Sequence, residues 1–494
     1  MITFKDFSYR FAGASFDALQ HVDLHIGRGE FVVITGPSGC GKSTLALALG
    51  GYLFSQYDGE ASGSVIVAGH DVQRTPVYDI AEIVGLVQQN PEAQFCTLTV
   101  LDEIAFGLEN RCLPPAEIRE RIDWALDVVG ASHLLDRELA TLSGGEQQKV
   151  AIAAMIAARP EVLIFDEPTS NLDPPATEEI FEVIEGIRTR ADITVIVIEH
   201  KIAYLARFAP RLIRMEAGRV VFDGPMRPAP PDWSLPAPGF HMPIPAESAP
   251  LVRVDGLVAG YGGADVLRGV SLTVHPGELV MIMGDNGSGK PTLLHTLCGL
   301  HRPRAGSIEV LGHDPARTPP SALAREVGVV FQNAEHQLFA PTVWEEAVFA
   351  PRNFGLLDGA VEARTRHLLH RCGLAGRLDD HPYRLSYGQK RRLNLISVLA
   401  YRPKLLLLDE ILIGQDATNA TFLMALLYDH IQGGGAVIMV NHNPEIAARY
   451  ASRLVFLREG RVLTDGPVAQ GFDRLVKQGL GVYAPPGWAC EAAS

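Results

Sequence analysis

The stretch GPSGCGKST, residues 36–44, decides the fold of the first half of this 494-residue chain. It follows an apolar run, FVVIT, and precedes LALAL, a run of good helix formers. Glycines between a strand and a helix let backbone N–H groups turn inward around phosphates at the helix N-terminus. The pattern therefore predicts a phosphate-binding loop, in which Lys42 would reach the β and γ phosphates of a nucleotide and Ser43 would hold Mg²⁺.

The same blocks return in the second half of the chain in the same order. GPSGCGKST returns as GDNGSGKPT (284–292), VLIFDE (162–167) as LLLLDE (405–410), and LSGGEQQ (142–148) as LSYGQ followed by Lys390 (385–390). The offset drifts little, from 248 residues between Lys42 and Lys290 to 242 between His200 and His442. We interpret the chain as a tandem duplication.

The periodicity of each half predicts an α/β fold. Short β-branched and apolar runs, typical of buried parallel strands, alternate with helix-period stretches. We place a first domain at residues 1–222, a proline-rich linker at 223–250, a second domain at 251–470 and a C-terminal tail without an assigned role at 471–494. Proline excludes a helix or an internal strand from most of the linker.

Composition excludes several classes of function. The chain has 43 basic and 57 acidic residues, a formal charge of -14, so broad nucleic-acid binding is disfavoured. Its six cysteines form no CxxC pair, which favours a reducing, cytosolic compartment. No apolar run approaches the roughly 18 residues of a membrane helix. Work at a membrane would therefore need partner proteins.

Asp166 and Glu167 end an apolar strand, where two carboxylates are costly unless they meet a cation or a polarised water. We interpret Asp166 as the Mg²⁺ partner and Glu167 as the base that orients the attacking water. In LSGGEQQ, Ser143 opens a helix with Glu146 three residues on, which by itself indicates only a good N-cap. Gln89 and His200 are weak signals individually.

Together, the order of phosphate loop, glutamine, LSGG, apolar-DE and histidine resembles the ABC family of ATPases, and it occurs twice. The resemblance implies two P-loop domains, each with a mainly parallel sheet and a helical subdomain that carries the LSGG-type motif. It further implies a head-to-tail pair with two Mg²⁺-ATP molecules between the domains. Each ATP would be held by the loop of one domain and the LSGG-type turn of the other.

The resemblance also assigns roles to single residues. Tyr9 would stack on adenine, Gln89 would sense Mg²⁺ and the attacking water, and His200 would touch the γ-phosphate. The implied nucleotide contacts in the first domain are Tyr9, Gly36, Ser38, Gly39, Gly41, Lys42, Ser43, Thr44, Ser143, Gly144 and Gly145. Those in the second domain are Tyr261, Gly284, Asn286, Gly287, Gly289, Lys290, Thr292, Gln332, Ser386 and Gly388, with Glu410 and His442 as catalytic residues and Asp409 as a weaker Mg²⁺ ligand.

The second copy departs from the pattern at two places. Pro291 stands where the Mg²⁺-holding Ser or Thr belongs, and Tyr387 stands where a glycine is usual. Proline is tolerated in the first turn of a helix, so we expect the fold to survive. Thr292 sits about 100° further round the helix and is not expected to replace the missing hydroxyl. We therefore predict that the first-domain loop hydrolyses ATP and that the Pro291 site turns over slowly.

The segments after the two glutamines, NPEAQFCTLTVLDEIAFGLEN (90–110) and NAEHQLFAPTVWEEAVFAPRNFG (333–355), resemble those of energy-coupling-factor importers. That family implies a transmembrane coupling subunit, a small membrane protein that captures a vitamin or transition-metal ion, and a place on the cytoplasmic face of the membrane. Translation-factor ATPases have a long charged linker, and sugar-importer ATPases lack such segments. DNA-repair clamps carry zinc-binding cysteine pairs. These three alternatives are therefore disfavoured.

Overall fold

The computed structural model describes residues 1–14, 16–170, 172–191, 193–208, 210–226, 248–412, 415 and 417–488. The chain divides into two compact units, Met1–Pro231 and Asp232–Ser494. Most of the predicted linker, residues 227–247, and the last residues of the predicted tail, 489–494, lie outside the described residues.

The described part of the first unit alternates strands and helices as its periodicity predicts. Its strands are β1 (Ile2–Phe11), β2 (Leu19–Ile26), β3 (Phe31–Thr35), β4 (Gly59–Val67), β5 (His70–Asp71), β6 (Val84–Val87), β7 (Val162–Asp166), β8 (Thr194–Ile198), β9 (Arg211–Glu216) and β10 (Arg219–Pro225). Its helices are α1 (Lys42–Leu49), α2 (Tyr52–Gln56), α3 (Val77–Ile83), α4 (Pro91–Gln94), α5 (Val100–Glu109), α6 (Pro115–Val128), α7 (Gly144–Ala157), α8 (Pro174–Ala191) and α9 (Ile202–Leu205).

The first phosphate-binding loop leaves the middle of a sheet. Six strands lie in the order β10-β9-β3-β8-β7-β6, all parallel except β10. Both faces of this sheet are buried, since Val33 of β3 packs in one apolar cluster and Val32 and Ile34 pack in another. Burial on both faces explains why β3 reads as an uninterrupted apolar run. A second, antiparallel sheet has the order β2-β1-β4-β5.

The second unit repeats these elements within its described residues. Its strands are β11 (Val252–Ala259), β12 (Leu267–Val274), β13 (Leu279–Gly284), β14 (Ala305–Val310), β15 (Val327–Val330), β16 (Leu405–Asp409), β17 (Ala436–Val440), β18 (Arg453–Arg458) and β19 (Arg461–Pro467). Its helices are α10 (Lys290–Leu297), α11 (Pro320–Leu323), α12 (Val343–Asn353), α13 (Gly359–Arg371), α14 (Tyr387–Leu399), α15 (Ala417–Gln432), α16 (Pro444–Tyr450) and α17 (Val468–Lys477).

The larger sheet of the second unit has the order β15-β16-β17-β13-β18-β19, which matches the first unit strand for strand. Its strands are parallel except β19, and β13 again lies in the interior between β17 and β18. A three-stranded antiparallel sheet, β12-β11-β14, accompanies it. The predicted tandem α/β fold is confirmed, including the helices that carry the LSGG-type motifs: α5 and α6 pack on α7, and α12 and α13 pack on α14.

Residues 468–488 pack on the core of the second unit. Helix α17 spans the boundary that we predicted at residue 470 and buries Phe472 and Leu475 in the same apolar cluster as Phe456 of β18. A short 3₁₀ helix, Gly481–Tyr483, adds the buried ring of Tyr483 to that cluster. Among the described residues, no helix is both long and apolar enough to cross a bilayer.

Truncating Phe472 is expected to destabilise the second unit. Its side chain is fully buried, so Phe472→Ala should cost about 3–5 kcal/mol through lost burial and the cavity left behind. Calorimetry should show the unfolding transition of one domain at a lower temperature and the other unchanged. Equal stability of the variant and the parent would contradict the packing of α17 on this core.

Candidate functional site

The two phosphate-binding loops share one backbone conformation. The first has φ values of 150°, 79° and 103° at Gly36, Gly39 and Gly41, and the second has 147°, 76° and 100° at Gly284, Gly287 and Gly289. These left-handed values favour glycine at each position. Each loop is closed by its lysine: Lys42 Nζ donates to Gly36 O at 2.8 Å and Pro37 O at 3.0 Å, and Lys290 Nζ donates to Gly284 O at 2.9 Å and Asp285 O at 2.8 Å.

Pro291 leaves the second loop intact but changes its chemistry. Helix α10 begins at Lys290 with the proline in its first turn, where its missing N–H is tolerated. Pro291 is exposed, as Ser43 is in the first unit, and it offers no hydroxyl. Thr292 is buried, whereas its counterpart Thr44 is half-buried. The fold survives the proline as predicted, and the buried Thr292 does not occupy the place of the missing hydroxyl.

The carboxylates at the ends of β7 and β16 have perturbed acidities. Burial and the neighbouring Glu167 raise the pKa of Asp166 to about 6, against the lowering effects of a hydrogen bond from Ser43 and the charge of Lys42. Burial and Glu410 raise the pKa of Asp409 to about 7, against the charges of Lys290 and Arg391. Asp409 lies in the unit whose loop carries Pro291, and no serine hydroxyl is among the groups that lower its pKa.

The oxygen donors in the first unit fit a divalent cation. Asp166 Oδ1 is buried and has no hydrogen-bond partner among the described residues, while Ser43 adds a hydroxyl beside the same carboxylate. A carboxylate and a hydroxyl are the hard ligands that Mg²⁺ takes alongside substrate phosphates. In the second unit the carboxylate remains, but the hydroxyl is absent, so the fit is poorer.

A glutamate, a glutamine and a histidine meet in each unit. In the first, Gln89 Nε2 donates to Glu167 Oε2 at 3.0 Å, and His200 Nε2 lies 3.3 Å from Glu167 Oε1. In the second, Gln332 Nε2 donates to Glu410 Oε2 at 2.8 Å, and His442 Nε2 lies 2.6 Å from Glu410 Oε1. The predicted residues are thus brought together twice.

Both glutamates occupy a strained backbone position. Glu167 and Glu410 each have φ of 50°, rare for a residue with a side chain, and each peptide N–H donates to the neighbouring strand, at Ile198 O and Val440 O. Burial raises the pKa of Glu410, but the hydrogen bond from His442 and the charges of Lys290 and Arg391 outweigh it and lower the pKa overall.

The LSGG-type motifs form N-caps in both units. Ser143 and Ser386 are exposed, and each makes a reciprocal capping box, with Glu146 and Gln389 respectively. Gly144 and Gly145 begin α7, and Gly388 lies in the first turn of α14. The exposed backbone at these helix starts can meet an anion.

Tyr387 replaces the first glycine of the motif, and its hydroxyl contacts the side chain of Arg391. Arg391 is buried, and its guanidinium donates to the Tyr387 hydroxyl at 2.8 Å. The same group donates to Glu410 O at 2.5 Å and Gln332 O at 2.9 Å. Arg391 therefore ties the start of α14 to the residues after β15 and β16.

The prediction that Tyr9 stacks on adenine needs correction. Tyr9 pairs with Leu19 in β1 and β2, and Ala259 pairs with Leu267 in β11 and β12, so Tyr9 corresponds to Ala259. Its side chain is only 2% exposed, which leaves no ring face for a base. Two residues on, Phe11 is half-buried and corresponds to Tyr261, which is 52% exposed. Strand register, which the sequence does not show, identifies Phe11 as the better candidate.

Two buried glutamates were also missed. Glu103 Oε2 accepts from the N–H groups of Cys96 and Thr97 at 3.0 and 2.9 Å. Glu346 Oε2 accepts from Phe339 and Ala340 at 2.9 and 2.8 Å. The signal that could have found them is their recurrence at the same place in the LDEIAF and VWEEAVF segments.

Two glycine-rich loops at the ends of interior parallel strands, each beside a carboxylate pair, define a P-loop nucleoside triphosphatase with two sites. The sequence model of the ABC transporter family matches residues 19–170 and 267–412. The chain belongs to this family, and it is an ABC-type ATPase with two tandem ATP-binding domains.

Relatives resemble the chain over nearly its whole length. A Methanosarcina mazei protein provisionally named an ABC transporter ATP-binding protein is 34% identical over 94% of this chain and 89% of its own. A Bacillus subtilis (strain 168) protein, provisionally named HMP/thiamine import ATP-binding protein YkoD, is 34% identical over 96% of this chain and 93% of its own. The structure of cbiO1 from Clostridium perfringens, described as part of the ABC transporter complex cbiONQ, covers 45% of this chain and 87% of its own at 32% identity and a TM-score of 0.42.

Replacing Asp409 by asparagine is expected to stabilise the metal-free protein at high pH. The folded pKa of about 7 lies above the usual aspartate value of 3.8, so stability is lost as the pH rises from about 4 through about 7. Asp409→Asn removes this cost and should gain about 2–4 kcal/mol near pH 8.

Near pH 4.5 the gain should shrink to about 1 kcal/mol or less, because Asp409 is then protonated in the folded state. Thermal unfolding at both pH values, without divalent cations, measures this difference. Asp379→Asn, which changes an exposed carboxylate of the same domain, is the control and should show no such dependence. An equal gain at both pH values would refute the assignment.

Proposed function

We propose that this chain is the ATP-hydrolysing subunit of an energy-coupling-factor type importer for a vitamin, a vitamin precursor or a transition-metal ion. It would lie on the cytoplasmic face of the membrane and drive a transmembrane coupling subunit that works with a small substrate-binding membrane protein. The two domains would pair head to tail within the chain.

The observation that carries this proposal is a pair of exposed apolar projections after the two glutamines. In the first unit, Glu103 holds the loop that exposes Leu98 to 82%. In the second, Glu346 holds the loop that exposes Phe339 to 62%. A buried carboxylate that accepts two backbone N–H groups fixes the shape of each loop, so the apolar side chains are held in water instead of folding inward.

An exposed aromatic side chain recurs on the helix that follows each projection. Phe106 of α5 and Phe349 of α12 occupy equivalent positions, and both are exposed. The rings of Phe339 and Phe349 pack edge to face with centroids 4.5 Å apart. Exposed apolar clusters on pre-shaped loops are typical of protein-binding surfaces. A helix of a membrane coupling subunit fits such a surface because its own apolar side chains would cover these rings.

The named function of one relative agrees with import. YkoD, which aligns with almost the whole chain, carries a provisional name that assigns it to HMP/thiamine import. A vitamin precursor is one of the substrate classes that the sequence segments indicate. The membrane partner would determine which substrate is transported. The similarity to YkoD therefore supports the class of transporter, and experiment must identify the substrate.

The arrangement of residues in the first unit supports a hydrolytic mechanism. Lys42 would exchange its loop carbonyls for the β and γ phosphates of ATP. Ser43, Asp166 and Gln89 would hold Mg²⁺, which neutralises developing phosphate charge. Glu167, placed by Gln89 and His200, would orient the attacking water and accept its proton.

The second unit would bind nucleotide but hydrolyse it slowly. Its Glu410, Gln332 and His442 are arranged as in the first unit. Without a hydroxyl at Pro291, however, Mg²⁺ would lose one protein ligand, and its binding would compete with the proton that burial favours on Asp409, whose pKa is raised to about 7. The motor would therefore be asymmetric.

Restoring the hydroxyl is expected to activate the second site. In a Glu167→Gln background, Pro291→Ser should raise the residual ATPase rate more than about a hundredfold, if the contact contributes about 3 kcal/mol in the transition state. Steady-state phosphate release measures the rate. Pro291→Ala is the matched control, since it removes the proline without adding a ligand.

In the otherwise unchanged chain, Lys42→Ala should abolish most ATPase activity, and Lys290→Ala should leave a larger share. Equal losses in the two variants, or equal rates for Pro291→Ser and Pro291→Ala, would rule out the asymmetry.

Partner identification tests the importer role. A tagged chain recovered from gently solubilised native membranes should bring down two small polytopic membrane proteins, which mass spectrometry identifies. Phe106→Ser combined with Phe349→Ser should abolish their recovery and leave ATP binding unchanged. Phe222→Ser, at an exposed phenylalanine of β10 outside these segments, is the control and should retain them.

Recovery of ribosomes or nucleic acid without a membrane partner would reject the importer role. Recovery of the membrane subunits of a sugar importer would assign this chain to sugar import instead. Retention of the membrane proteins by the double variant would show that the partner binds elsewhere.

A further inference from the structure

The C-terminal segment, residues 468–488, reaches the second phosphate-binding loop at Tyr483. The Tyr483 hydroxyl donates a hydrogen bond to Asp285 Oδ1, and Arg458 Nε lies 3.6 Å from Asp285 Oδ2. The ring of Tyr483 is buried and packs against Phe456 with centroids 4.8 Å apart. Both oxygens of the Asp285 carboxylate are thus held by groups outside the loop.

Asp285 also supplies one of the two carbonyls that hold the loop lysine. Lys290 Nζ donates to Asp285 O at 2.8 Å and to Gly284 O at 2.9 Å. The side chain and the carbonyl of Asp285 share one α-carbon, so restraining the carboxylate restrains the peptide that positions Lys290. Asp285 therefore links the C-terminal segment to Lys290, because its side chain contacts Tyr483 and its carbonyl accepts from the lysine.

The first loop achieves the same geometry without such a contact. Its second residue is Pro37, whose carbonyl accepts from Lys42 at 3.0 Å. The proline ring fixes φ, so this peptide is restrained by its own covalent structure. The glycines of the two loops have φ values within 3° of one another, which indicates that proline would fit at position 285 as well.

We propose that Tyr483 is a positioning residue of the second nucleotide site and that the C-terminal segment is part of that site. The Tyr483–Asp285 bond restrains the conformation of the second phosphate-binding loop, so less ordering of its backbone remains to be done when phosphates bind. This inference rests on nucleotide binding by the second loop, which the proposed function includes.

Binding at the second loop can be measured in the Lys42→Ala background with a non-hydrolysable ATP analogue and Mg²⁺. Tyr483→Phe removes only the hydroxyl and keeps the packed ring. It should weaken binding about threefold to tenfold, as expected for one hydrogen bond. In a Lys290→Ala background, which reports the first loop, Tyr483→Phe should change nothing.

The control is Tyr450→Phe, another buried tyrosine of the same core cluster, whose hydroxyl lies 3.0 Å from Thr421 Oγ1. It should leave nucleotide affinity unchanged even where it lowers the unfolding temperature. A loss of affinity equal to that of Tyr483→Phe would mean that general destabilisation explains both results, and would overturn the proposal.

A rescue variant separates positioning from stability. Asp285→Pro copies the first loop, and in that background Tyr483→Phe should no longer alter affinity. The proposal would be overturned if Tyr483→Phe weakened nucleotide binding just as much in the Asp285→Pro background. It would also be overturned if Tyr483→Phe did not change the affinity of the Lys42→Ala chain. If the Lys42→Ala chain itself bound no analogue, the second site proposed above would fail instead.

Discussion

A carboxylate pair at the end of a strand buried on both faces is the constraint on which each domain depends. Asp166 and Asp409 are held where burial raises their pKa values to about 6 and about 7. Burying a carboxylate away from water costs folding free energy. The buried position is nevertheless useful, because a bound cation can take the place of the water that the carboxylate has lost. The loop lysine lies close to this pair, and the glutamate of each pair has the strained φ of 50°. The sheet thus positions these buried carboxylates beside the phosphate-binding loop.

Duplication kept the backbone and changed the chemistry. The two sheets have the same strand order, the glycines have nearly the same φ values, and both glutamates have φ of 50°. Against this common frame, the second unit has Pro291 where the first has Ser43, and Asp285 where the first has Pro37. A fold tolerates such exchanges because the first turn of a helix needs no N–H and a restrained aspartate can stand in for a proline. A site is less tolerant, because a missing hydroxyl has no substitute close by.

Much of this architecture was predictable from the sequence, because apolar strands and glycine loops leave strong local patterns. The functional roles expected of Gln89, Glu167, Gln332 and Glu410 followed from a resemblance that repeats in order, and the structure adds that each glutamine donates to the glutamate of its unit. Strand register left no such pattern, so Tyr9 was chosen where Phe11 corresponds to Tyr261. The burial of Arg391 was not predicted, because nothing in the local sequence signals that this cation is buried against Glu410 O and Gln332 O.

The C-terminal segment illustrates the same limit at longer range. Its sequence matches nothing in the first copy, and only its packing shows that α17 and Tyr483 belong to the second core. Contacts between residues 198 positions apart, as between Asp285 and Tyr483, have no signature in either local stretch. The extra segment lies in the unit whose loop lacks proline at its second position. Local stiffness in one copy and a long-range contact in the other are two physical solutions to one requirement: a phosphate-binding loop whose backbone is already ordered when the nucleotide binds.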